Sequence, residues 1–131
     1  MTPAPLLAFP SATGFVINHL AAAVSPVPVS SRVPAAKGPF VRVLRTGGPA
    51  STPILDPAQI TLDCYAAYED QAEQLAQDVR AHLHALEGSN GIKRVLEYSG
   101  PANFPDPRTP DMHRFTFTIA LELRGTQEGT P

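Results

Sequence analysis

The stretch from Tyr68 to Leu86 contains neither Gly nor Pro, in a chain that those two residues otherwise punctuate throughout, and its apolar residues recur at helical spacing. Ala72, Leu75, Ala76, Val79, Leu83 and Leu86 fall on one stripe, while Glu73, Gln74, Gln77, Asp78 and Arg80 fall outside it, the pattern of an amphipathic helix. Glu69, Asp70 and Glu73 stand in the first turn, where the positive end of the helix dipole favours carboxylates. Arg80, His82 and His84 lie toward the negative end, and Gly88 stops the helix. Burial of Leu75, Val79, Leu83 and Leu86 contributes about 1.5–3 kcal/mol each before entropy is counted, so this helix is the main lid of the core and needs a sheet to lie on.

A chain of 131 residues is long enough for one core and too short for two domains with a linker. Its net charge of -2 and sparse charged residues, 17% of the total, argue against a surface built to neutralise phosphates. The single cysteine, Cys64, excludes an internal disulfide and fits a cytosolic setting. The start Met1-Thr2-Pro3-Ala4-Pro5 lacks the basic region and apolar run of a signal peptide, and no apolar stretch approaches the ~18 residues of a membrane span. A soluble intracellular protein with no membrane partner is expected. The 15 Pro follow no repeat and cluster in connecting stretches, which predicts long, stiffened loops.

In chain order, Ala12 to Val24 reads as a shorter helix, with Val16, Leu20 and Ala23 on one face, begun by Pro10 or Ser11 and ended by Ser25-Pro26. Val27 to Val33, between Pro26 and Pro34, reads as an edge strand. Phe40 to Thr46 is a β-branched run and the second strand. The eleven residues Gly47 to Pro57 make a long connection, and Gln59 to Ala66 alternates Ile60, Leu62, Cys64 and Ala66 toward a core. Ile92 to Ser99 reads as a strand of mixed faces, and Gly100 to Asp111, with Pro101, Pro105, Pro107 and Pro110, as irregular, with Phe104 an anchor candidate. His113 to Arg124 alternates Phe115, Phe117, Ile119, Leu121 and Leu123 against polar positions and should sit at the centre of the sheet; Gly125 to Pro131 reads as a polar tail. The order helix, three strands, helix, two strands predicts an α+β domain: a mostly antiparallel sheet of about five strands, both helices on one face, the other face carrying Thr, Arg and Glu. Such a face is either solvated or turned toward a neighbouring subunit or a water-filled space.

Little in the sequence points to catalysis or to a cofactor. His82 and His84 stand two apart on a helix and do not face each other as metal ligands would. Cys64 lies on the apolar side of its strand with no basic residue beside it to lower its pKa, and reads as core. Gly47-Gly48-Pro49 lacks the following helix that would make an anion cradle. Asp56 and Asp63 flank a strand end and could form an acid pair, although charged loop ends are usually just solvated. No catalytic, metal or cofactor residue is assigned, and no enzyme is expected.

Two stretches carry a resemblance: Phe40-Val41-Arg42-Val43-Leu44-Arg45-Thr46-Gly47-Gly48-Pro49, and Ser99-Gly100-Pro101-Ala102-Asn103-Phe104-Pro105-Asp106 followed by Arg114-Phe115-Thr116-Phe117-Thr118. In their order and spacing they resemble the tail terminator proteins of long-tailed phages of actinobacteria, and the similarity runs from Phe9-Pro10 to the last strand. Gly14, Ala67 and Tyr68 depart from the stronger helix-forming or capping residues expected there. The resemblance implies a structural virion protein: a small α+β subunit that closes into a homo-hexameric ring at the head-proximal end of the tail tube. Such a ring halts polymerisation of the major tail tube protein and presents a surface to the head-tail connector or stopper protein, while genomic DNA passes through its lumen without tight binding. Stopper and head completion proteins of similar size are the alternatives. A free-standing nucleic-acid-binding module is a further one, weakened because Tyr65 and Tyr98 do not form the paired aromatic signature of that class.

Contacts with neighbouring subunits or with tail and head partners are assigned to Arg42, Arg45, Thr46, Gly47, Gly48, Pro49, Ile54 and Leu55 in and after the second strand. In the later loop they are assigned to Asn103, Phe104, Asp106 and Arg108. Residues 48–53 continue neither strand nor helix periodicity, so deleting them should leave the fold intact, because loop-closure entropy changes by only about 0.6 kcal/mol per doubling of length. The deletion should remove a preorganised contact. Circular dichroism of the variant is expected to be native-like, with electron microscopy of particles carrying it showing overlong or unjoined tails; normal tails joined to heads would show the loop to be dispensable.

Overall fold

A computed structural model describes residues 7–8, 11–34, 38–47, 55–89, 91–124 and 126–127. In chain order the elements are β1 (Leu7–Ala8), α1 (Ala12–Ala23), β2 (Val29–Ser30), β3 (Phe40–Gly47), β4 (Leu55–Ala66), α2 (Glu69–His84), β5 (Ile92–Asn103), β6 (His113–Arg124) and β7 (Thr126–Gln127). Five strands form one sheet in the order β2-β3-β4-β6-β5, antiparallel at every step except the short parallel pairing of β2 with β3, and β1 pairs with β7 apart from it. Two helices and a mostly antiparallel five-stranded sheet make this the expected α+β class.

The helices form where the periodicity puts them. Ser11 caps α1 by accepting the Gly14 amide on its hydroxyl at 3.2 Å, and a Cβ at Gly14 would itself stand 3.2 Å from that oxygen, so the glycine keeps the cap uncrowded. In α2 the stripe residues Ala72, Ala76, Val79 and Leu83 are fully buried and Leu75 half-buried; Leu86 is buried just beyond the helix end. They pack on Ile60, Leu62 and Cys64 of β4, on Phe115, Phe117, Ile119 and Leu121 of β6 and on Ile92 and Val95 of β5, while Val16 and Leu20 of α1 lie over Val41 and Val43 of β3 in the same core. Cys64 is inside this core, and burial pushes its thiol pKa well above the ordinary range.

The strands differ from the expected bounds at the prolines. β4 starts at Leu55 rather than Gln59, and Pro57 is inside it. At that end β4 pairs only with β6, because β3 joins no earlier than Gln59, so the missing N–H of Pro57 costs no bond on the β3 side. The expected connection from Gly47 to Pro57 therefore shrinks to residues 48–54. β5 runs on through Gly100 and Pro101 to Asn103; it lies at the sheet's edge and shifts register between Glu97 and Ser99 and again between Ser99 and Ala102, which accommodates both residues. β2 is only Val29–Ser30, shorter than the expected Val27–Val33, and sits at the opposite edge. β6 is interior, but the middle strand is β4. Thr126–Gln127, expected in the polar tail, pairs with Leu7–Ala8.

Because Leu83 is fully buried where α2 meets the sheet, Leu83→Ala should destabilise the protein by about 2–5 kcal/mol, read as a lower urea midpoint with an unchanged slope.

Candidate interaction surface

Strand pairing fixes which side chains share the face of the sheet away from the helices. Arg42 lies opposite Asp63 and Asp63 opposite Thr116; one step along, Phe40 is opposite Tyr65 and Tyr65 opposite Arg114; one step the other way, Leu44 is opposite Thr61 and Thr61 opposite Thr118. In the alternation of each strand these are the positions between the buried apolar ones. The result is a polar face, and at its Tyr65 end the chain from Phe104 to Met112 folds over it.

The groups on that face neutralise one another. Arg42 donates from Nε at 3.1 Å and Nη2 at 2.8 Å to Oδ2 of Asp63, whose Oδ1 accepts from the Thr116 hydroxyl at 2.9 Å. Arg114, nearly buried, places Nη1 4.0 Å from Asp63 Oδ2 and 3.6 Å from Asp106 Oδ2, and donates from Nε to the Phe104 carbonyl at 2.7 Å. Asp106 is buried and accepts from the Tyr65 hydroxyl at 2.9 Å and from the Arg108 backbone and guanidinium at 3.0–3.2 Å. Hydrogen bonds from Arg108 hold the Asp106 carboxyl far below the usual carboxylate range, against the opposing effect of burial, while burial pushes the Tyr65 phenol up. Phe40 stacks on Tyr65 with ring centres 4.2 Å apart, and the Arg114 guanidinium lies 5.2 Å from the Phe104 ring centre.

The residues assigned from sequence to contacts separate into distinct situations. Phe104 is 63% exposed although its carbonyl is held by Arg114, so an apolar ring is presented on a fixed backbone. Arg108 is exposed beside it while its guanidinium is tied to Asp106. Asp106 itself is an internal fastener rather than a surface contact, and Arg42 is largely turned inward on Asp63. Asn103 donates to Glu69 at 2.9 Å, joining the end of β5 to the start of α2. Thr46 reaches the Gln59 carbonyl and the Thr61 hydroxyl, at 3.4 and 3.3 Å. Arg45 lies on the helix side of β3, with Nε 3.3 Å from the Gly47 carbonyl; Gly47, at φ +141°, has a backbone that favours glycine. Leu55 opens β4 opposite Arg124, while Gly48, Pro49 and Ile54 lie outside the described residues. Tyr65 and Arg114 are not assigned to the site from sequence, and Asp63 enters there only as a candidate acid pair with Asp56; their signal is a charged or hydroxyl-bearing residue at the outward position of β4 and β6, which pair.

The arrangement offers rigidity, its charged groups being bonded to one another. Asp56 and Asp63 are seven residues apart on one strand, which sets their backbones about 23 Å apart, too far for the expected acid pair. Among the described residues no group of three or more His, Cys, Asp or Glu could hold a metal ion, and no helix is long and apolar enough to cross a membrane. Neither a protein-family model nor a curated protein matches the chain by sequence.

Asp106→Ala should strip partners from the buried Tyr65 hydroxyl and from Arg114, destabilising the fold by about 3 kcal/mol. A carboxyl whose folded pKa is depressed stabilises fully above its unfolded pKa of about 3.9 and loses that contribution as pH falls through the folded value. Urea denaturation should therefore show the gap between wild type and Asp106→Ala constant from pH 7 to 5 and narrowing below about pH 4.

Proposed function

We propose that this chain is the subunit of a closed ring that terminates a phage tail tube at its head-proximal end, stopping polymerisation and offering the surface on which the head connector docks. It is a structural protein of the virion and not an enzyme. The observation that carries this reading is the pair of sheet edges, β3 beyond Arg42 and β5, to which no further strand pairs among the described residues. A ring requires each subunit to present two different surfaces that fit one another head to tail. Three antiparallel steps, β3 to β4, β4 to β6 and β6 to β5, leave β3 and β5 running in opposite directions. A neighbouring copy in the same orientation thus brings its β3 antiparallel to β5, the more stable sense of pairing.

Two further features support it. The stretches that resemble tail terminators fall on β3, on the end of β5 with the Phe104 loop, and on β6, so they coincide with one edge, the fixed aromatic anchor and the polar face. On that face the arginines are engaged by Asp63 and Asp106, which suits a wall along which DNA must slide without being held.

The ring is expected to be hexameric. Native mass measurement on purified protein and on isolated tails, together with antibody labelling of tail ends, should find six copies at the head-proximal end. Absence from that end, or a ring of another order, overturns the reading.

A further inference from the structure

The polar face has apolar margins. In its middle stand Thr61, Asp63, Thr116 and Thr118, but its two outer strands carry Leu44 on β3, half-buried, and Leu96 on β5, 38% exposed. Within one subunit β4 and β6 keep these leucines apart. In a sheet continued into a second copy they come to the same seam. Beyond Arg42, where β2 ends, the outer side of β3 carries no strand among the described residues, and the outer side of β5 carries none along its length.

At Ile92 the turn bonds the outer side of β5, Gly88 donating to the Ile92 carbonyl and the Ser89 carbonyl accepting the Ile92 amide, and further along one side chain does so. Glu87, exposed in the turn after α2, accepts the Val95 amide on Oε1 at 3.0 Å. That amide is turned away from β6, and with no register shift from Val95 to Glu97, alternation turns the backbone of Glu97 outward as well. The Glu87 carboxylate stands where the carbonyl of an added strand would have to be.

We infer that the outer edge of β5 is the acceptor for β3 of a second copy of this chain, with Leu44 and Leu96 meeting at the seam, and that Glu87 keeps this edge closed in the free subunit. The inference rests on the ring reading for its biological setting, but the contact is between copies of the chain and is tested without phage. An incoming strand must displace Glu87 before it can pair at Val95, so isolated subunits join only when concentrated or held in place. Along the regular stretch from Val95 to Glu97, sheet extension is held back by one removable hydrogen bond.

The test uses the full chain with Leu44→Cys and Leu96→Cys combined. Three strand spacings, about 14 Å, separate these positions within a subunit, so a disulfide between them can form only between copies; Cys64, inside the core, stays out of the reaction. Mild oxidation should give covalent multimers larger than a dimer for the double variant and none for either single variant. A double variant that stays monomeric overturns the contact, as does a dimer from Leu96→Cys alone, which would mean β5 pairing with β5. Glu87→Ala, a surface change that leaves the core untouched, should assemble at about tenfold lower concentration than wild type by sedimentation. Assembly at the same or higher concentration overturns the guarding role. Multimers from a chain absent from tail ends would refute the terminator reading and leave this contact standing; the reverse result would do the opposite.

Discussion

The unbroken antiparallel ladder between β4 and β6 is the constraint on which the rest of the structure depends. Every residue from Leu55 to Ala66 faces one from Arg124 to His113 with no shift in register. That regularity carries two different surfaces at once. Ala58, Ile60, Leu62, Cys64 and Ala66 of β4, with Phe115, Phe117, Ile119 and Leu121 of β6, form the floor under the helices; Thr61, Asp63 and Tyr65, with Arg114, Thr116 and Thr118, form the opposite face. A slip of one residue in either strand would push its whole polar set under α2 and its apolar set into the open. Burying a charge such as Asp63 without Arg42 and Thr116 would cost several kcal/mol, so the two faces enforce the same register from opposite sides.

The polar cluster has a second role, which is to determine where the chain goes after β5. Asp106 is fastened to Tyr65 of β4 and drawn toward Arg114 of β6, and the Phe104 carbonyl accepts from Arg114. A segment with Pro105 and Pro107 has few amides to offer a regular element, and side-chain bonds replace the missing ladder. Among the described residues no buried side-chain nitrogen or oxygen lacks a partner. The exposed Phe104 ring is accordingly held by groups that lie deep, and a docking residue on an ordered backbone loses little entropy when a partner covers it.

How much of this could be read from the sequence depends on whether the signal is local. Helix α2 was legible because Ala72, Ala76, Val79 and Leu83 repeat at its own period, and β6 because its alternation is uninterrupted. The order of elements and the α+β class followed from those two. Pro57 and Pro101 misled because a proline's effect in a strand depends on whether a neighbour stands on the side where its N–H is missing, which is a property of the assembled sheet. The cluster was least legible of all. Tyr65 and Asp106 are 41 residues apart, and Asp63 and Thr116 are 53 apart, so nothing short of the pairing register brings them together. Asp106, which reads from sequence as a surface charge in a proline-rich loop, is buried for that reason.

The two ends of the sheet are finished differently, and under the ring reading proposed above the difference bears on how a subunit could be both stable alone and ready to join. At one end β2 covers only the first part of β3 before the chain turns away. At the other, β5 is long, and a long open edge invites indiscriminate pairing. Several features limit that risk without covering the edge: the register shifts bend the strand, Pro101 withholds an amide, Lys93 and Arg94 place charge near its start, and the Glu87 carboxylate engages Val95. Of these, only the Glu87 carboxylate stands in the way of a strand that arrives in the right register, since the backbone from Val95 to Glu97 remains regular. A strand with the wrong register would meet a bulge or a charge, whereas in the contact proposed above β3 of an identical copy, approaching antiparallel, would meet the regular stretch at a leucine. In the proposed ring, selectivity of this kind would come from what the edge rejects as much as from what it accepts, and would let a small domain remain single until identical neighbours are brought alongside.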